Sequence, residues 1–179
     1  CAGNAQAALS TFQTFNGKSA VSTGGWGSTT QAGTIRANVP AGATVAAAYL
    51  YTSTYSNSIS AAGGTLQGTS VSYTALGLHV GLEAGRADVT SIVAPIINAG
   101  PGGAYDFSIT ETAATQVGSA LVVVYQLPSL PISTVAILDG FSASAGDTTK
   151  LNFASPLNPA AAGFFAEMRL GIGFSCCNQ

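Results

Sequence analysis

Apolar and polar positions along the chain fall into short runs and alternations that suit strands. Residues 120–125 form a continuous apolar run rich in β-branched side chains and bounded by Gly118 and Pro128. That run is too short for a helix, so it predicts a strand buried on both faces. Pro128 and Pro131 fix φ and remove two backbone donors, which stops the ladder and lets residues 134–138 begin a second buried strand. The expectation is that this pair forms the middle of a sandwich.

The same pattern recurs on either side. Residues 35–39 read as a short strand ending at the turn Pro40-Ala41-Gly42, and residues 44–54 as a long, largely buried one. A period of two puts Tyr49 and Tyr51 on one face of it, with Ala48, Leu50 and Thr52 on the other. Residues 65–67 and 70–74 flank Gly68-Thr69 and predict a hairpin. In residues 104–112, Tyr105, Phe107 and Ile109 alternate with Asp106, Ser108 and Thr110, the pattern of a strand with one wet face. Residues 151–154 suggest a short strand. The clearest alternation comes last, with Ala166, Met168, Leu170, Ile172 and Phe174 opposite Glu167, Arg169, Gly171 and Gly173. One helix of about two turns is expected after Asp88, which would cap it, with a kink or end at Pro95. About nine strands and one short helix predict an all-β fold, a β-sandwich or jelly roll.

Residues 1–28 break this rhythm. They are rich in Ala, Gly, Ser and Gln, with Leu9, Phe12 and Phe15 scattered among them, and residues 5–12 would suit two helical turns. The division expected is an N-terminal arm over 1–28, open to exchange with a neighbour, and a β-sandwich domain over 29–179. Trp26 lies between Gly25 and Gly27, which suits a plug at the edge of a core better than a ligand platform.

Composition narrows the function. At 179 residues the chain is long enough for one well-buried domain. Only 7% of its residues are charged, the net charge is −2, and Lys18, Lys150, Arg36, Arg86 and Arg169 make no basic stripe. No nucleic acid is expected as a partner, because phosphates need clustered cations. Low charge also offers little long-range repulsion against self-association, so a homo-polymer is the expected partner state. No apolar run approaches the ~20 residues of a transmembrane segment. A chain without an initiator Met that starts at Cys1 reads as processed and exported, so an extracellular or cell-surface location is expected.

The three cysteines, Cys1, Cys176 and Cys177, sit at the two ends. They are candidates for an intermolecular disulfide, or for an intrachain staple with one thiol left over. A lipidated Cys1 and three inert thiols are the other readings. Catalytic motifs are not found. His79 is the one histidine, and residues 140–144 depart from G-x-S-x-G at the last position. The Gly17-Lys18-Ser19 string lacks the leading glycine of a phosphate loop, since position 12 is Phe12. No spacing selects a catalytic pair from Glu83, Asp88, Asp106, Glu111, Asp139, Asp147 and Glu167. Asp139 and Asp147 bracket a loop that would offer oxygens to calcium, although turn aspartates solvated by water are the plainer reading. Lys18 and Lys150 are available for isopeptide links. The expectation is no enzyme, no catalytic residue, no cofactor and no metal.

Five blocks in order carry a resemblance: IRANVPAGATVAAAYLYTS at 35–53, RADVTSIV at 86–93, SALVVVYQLPSLPISTVAILDG at 119–140, NFASPL at 152–157 and EMRLGIGFS at 167–175. They resemble a poorly characterised family of exported bacterial surface proteins, many with exosortase-type sorting tails. The resemblance implies a surface protein and brings no catalytic residues. Members usually continue into an acidic, Gly-rich region and a sorting tail, so this chain, ending at Gln179, corresponds to a processed product or a shortened relative. The function expected is a structural subunit of an extracellular filament, sheath or surface layer, joined through sheet edges or its N-terminal arm. The alternative is an adhesin or carbohydrate-binding module, with Trp26, Tyr51, Tyr55 and Tyr73 as stacking candidates and surface glycans as partners.

Overall fold

The computed structural model describes residues 9–27, 30–55, 58–79, 81–141, 148–151, 153 and 157–171. It is an all-β, sandwich-like fold of eleven strands in three sheets with one α-helix. The strands are β1 (Ser10–Gly17), β2 (Ser19–Trp26), β3 (Ala32–Val39), β4 (Thr44–Tyr55), β5 (Gly64–Leu66), β6 (Thr69–Val71), β7 (Thr74–His79) and β8 (Leu82–Asp88), then, after the helix, β9 (Gly103–Glu111), β10 (Gln116–Gln126) and β11 (Ser133–Asp139). Helix α1 spans Thr90–Asn98.

Three layers result. The middle layer is a five-stranded antiparallel sheet in the order β2-β10-β4-β8-β7. A four-stranded sheet, β3-β9-β5-β6, packs on one face of it. Ile35, Val39, Leu50, Leu66, Phe107, Ile109, Leu121 and Val123 fill the space between them, and Val93 and Ile97 of α1 join that core. On the opposite face lies the ribbon β1-β11, which packs Phe12, Phe15, Val135 and Ile137 over Ala47, Tyr49, Val122 and Val124. Strands β4 and β10 are therefore covered on both sides. Their apolar runs are continuous because neither face meets water.

Several expectations need correction. Strand β11 forms, but it does not sit beside β10 in a sheet. Both edges of β10 are taken by β2 and β4, and the turn at 127–131 carries the chain onto the outer face, where β11 pairs with β1. Residues 10–26 of the expected arm form β1 and β2, paired with this chain's own β11 and β10, so residues 10–12 are extended and not helical. A register shift between Thr11 and Gln13 lets Phe12 and Phe15, three apart, both pack on the outer face. Helix α1 runs through Pro95 to Asn98, whose Oδ1 accepts a bond of 2.8 Å from Val45 N. Asp88 does help to start it, accepting from Thr90 N at 2.9 Å, while Val89 occupies the cap position.

The largest departure is at the C-terminal end. Residues 166–171, the described part of the strand expected over 166–174, are exposed and belong to no ladder, and residues 172–174 lie outside the described ones. Alternation supplies the propensity, and a strand also needs a neighbouring edge; no described strand lies in register with them. Residues 151 and 153 are likewise outside any strand, and the rest of the strand expected at 151–154 falls on residues 152 and 154, outside the described ones.

Candidate functional site

Three features of the surface and its immediate underlayer carry chemistry. The first is polar and lies beneath the ribbon. Arg86 on β8 pairs with Asp139, the last residue of β11, and both side chains are largely buried. The Phe12 ring covers the guanidinium, its centroid 3.2 Å from Cζ. Phe12 also meets Tyr49 edge to face at 5.1 Å. The Tyr51 hydroxyl donates to Asp139 Oδ2 at 3.2 Å, and Tyr49 donates to Gln13 Oε1. Burial first, then the Asp139 charge, pushes the Tyr51 hydroxyl well above the ordinary tyrosine value. Every polar member of this cluster faces another, so it clamps the ribbon to the middle sheet. Asp139 is committed to Arg86, which removes it from the calcium reading; Asp147 lies outside the described residues.

The second feature is a cleft of about 400 Å³ at one end of the sandwich, lined by Thr30, Gln31, Tyr55, Glu111, Ala114, Gln116 and Val117. The ends of β4 and β9 and the start of β10 converge there. Glu111 is buried and accepts from Ser119 Oγ at 3.0 Å. Burial raises its pKa above the usual glutamate value, against the opposing pull of bonds from Ser119 and the Gly118 backbone. Gln116 is occupied with the fold: its Oε1 accepts from Gly63 N at 3.2 Å and its Nε2 donates to Thr52 Oγ1 at 3.4 Å. Gln31 Nε2 donates to Thr112 O at 3.1 Å. The cleft brings a buried carboxyl and an exposed aromatic ring into one lining.

Of the four stacking candidates, Tyr55 is exposed and lines this cleft. Tyr73 is half-buried against the core, with its hydroxyl bonded to Ser119 and its pKa raised first by burial and then by Glu111. Trp26 also packs against the core and pairs across the ladder with Ser119; a Cβ at Gly33 would collide with its ring. Tyr51 is elsewhere, committed to Asp139. Glu111 was missed as a cleft residue, although the alternation Tyr105, Phe107, Ile109 continues onto it and so points it inward.

The third feature is the segment 164–171. Phe165, Met168 and Leu170 are 75%, 80% and 66% exposed. Glu167 and Arg169 are bonded at 2.7 Å, as neighbours two apart on one side of an extended chain are placed to do. Ala166, Met168 and Leu170 alternate with Glu167 and Arg169, the pattern of a strand, but the segment belongs to no ladder. Cys1, Cys176 and Cys177 lie outside the described residues. Lys18 Nζ donates to Pro128 O at 2.6 Å. No helix among the described residues is long and apolar enough to cross a membrane.

No family model, no curated protein and no solved structure matches the chain.

Proposed function

We propose that the chain is a non-enzymatic structural subunit of an extracellular filament, sheath or surface layer, which assembles with copies of itself through exposed strand edges. The observation that carries this reading is the exposed segment 164–171, whose alternation suits a strand and whose Met168 and Leu170 stand in water. Leaving Met168 and Leu170 exposed forgoes roughly 1.5–3 kcal/mol for each side chain that a partner surface would bury. The low charge supports the same reading, because little repulsion opposes close approach of copies. Residues 10–26 of the expected arm pair inside their own chain, which supports sheet edges and the C-terminal segment as the assembling contact over those residues. Negative-stain microscopy of the purified full chain under oxidising conditions tests it. Regular fibres or sheets are expected, and dispersed single particles at every concentration would overturn the reading.

A second reading, an adhesin or carbohydrate-binding module, is favoured by the cleft where Tyr55 stands beside Glu111. It requires glycan-array binding by the chain that Tyr55→Ala abolishes. An array without binding would remove it.

A further inference from the structure

We infer that the C-terminal segment of one copy adds as a strand to the outer edge of β7 in a second copy, an edge with no strand beside it among the described residues; this rests on the self-assembly reading above and names the contact. The donor is the segment 164–171, in which Ala166, Met168 and Leu170 alternate with the Glu167–Arg169 pair.

The acceptor follows from comparing the edges. The five-stranded sheet ends in β2 and β7, and the four-stranded sheet ends in β3 and β6. The β2 and β3 edges close on each other: Asn38 N donates to Ser22 Oγ at 2.9 Å, and a Cβ at Gly24 would collide with the Arg36 carbonyl. Strand β6 has three residues, too few to pair along most of the segment. Strand β7 has six, TALGLH, with no proline and no lysine to block an added strand, although an irregularity between Ala75 and Gly77 interrupts its pairing with β8. Of the large apolar side chains on described strands, only Tyr55 and Leu78 are exposed, and Leu78 lies on β7 at 65% exposure. The ribbon strands β1 and β11 offer no such side chain.

A second copy is the occupant because the segment is not paired with its own β7 and at Gly171 lies against a different strand. A Cβ on Gly171 would stand 3.3 Å from Ala120 Cβ on β10. Strands β4 and β8 separate β10 from β7, a span of roughly 14 Å at the usual strand spacing. Addition to a neighbour would bury Met168 and Leu170 near Leu78 and pair backbone groups that now face water.

The test uses two full-length variants, one with a disabled donor (Met168→Asp with Leu170→Asp) and one with a disabled acceptor (Ala75→Lys with Leu78→Lys). All four positions are exposed, and circular dichroism checks that both variants keep the native sheet signal. Each variant alone is expected to self-associate roughly tenfold or more weakly than the native chain in sedimentation velocity. Mixed, they should form a one-to-one heterodimer, since one intact segment then meets one intact edge. Folded variants that assemble as the native chain does, or a mixture that fails to form the heterodimer, would overturn the inference while leaving any fibres of the native chain to support the subunit reading. A native chain that is monomeric throughout would overturn both.

Discussion

Arg86 and Asp139, on β8 and at the end of β11, form an ion pair that ties the outer ribbon to the middle sheet, roofed by the Phe12 ring and joined by the Tyr51 hydroxyl. Neither charge has much water to fall back on. Removing one partner leaves the other desolvated without compensation, so Arg86→Met and Asp139→Asn should each destabilise the fold by about 2–4 kcal/mol, somewhat under the cost for a fully buried pair. The double change Arg86→Met with Asp139→Leu should recover most of that loss. Urea denaturation measures all three, and single variants as stable as the native chain would show that the ribbon is held by its apolar contacts alone.

The edge where β2 meets β3 depends on Gly24. A side chain there would run into the Arg36 carbonyl, and backbone cannot move aside as a flexible side chain can. Gly24→Ala is expected to cost about 1–3 kcal/mol, as overpacking does, whereas Gly25→Ala, with open space at its Cβ position, should cost much less. Thermal unfolding of the two variants separates them.

Glu111 gives the stability a pH dependence of known sign. Its folded-state pKa lies above the ordinary value of 4.5, mainly through burial, so the native state holds this proton more tightly than the unfolded chain. The contribution is fully present below the unfolded pKa and is lost as pH rises through the folded one. The stability difference between the native chain and Glu111→Gln should therefore shift in favour of the native chain as pH falls toward 4.5. A difference that is flat across the acid range would show that the carboxyl is freely hydrated.

Much of the fold was legible because buried strands write themselves as apolar runs and half-buried ones as alternation. That was enough for β3, β4, β9, β10 and the β5-β6 hairpin. The pattern could not say which edge a strand joins, and so β11 was placed beside β10 when it lies a layer away. Strand β1 was hidden by its own irregularity: the register shift beside Phe12 breaks the period of two that would have revealed it. Arg86 and Asp139 are 53 residues apart, and nothing local to either announces the other. Glu111 was readable from the alternation it ends. Over residues 166–171 the alternation predicted a strand that does not form, because a ladder needs an edge that the segment itself does not encode.

Core and segment should respond to truncation in opposite ways. Phe107 is fully buried between the two main sheets, and Phe107→Ala is expected to cost about 3–5 kcal/mol through lost burial and the cavity left behind. Met168, at 80% exposure, buries little of itself in its own copy. Met168→Ala should leave the melting temperature of dilute protein unchanged and weaken association at high concentration. A large fall in dilute stability would mean that the segment belongs to its own core.

The proposed joining of copies through strand edges is read out by sedimentation velocity of the full native chain across a wide concentration range. A weight-average sedimentation coefficient that climbs with concentration toward large species is expected, and a single monomeric boundary at every concentration would rule out such joining.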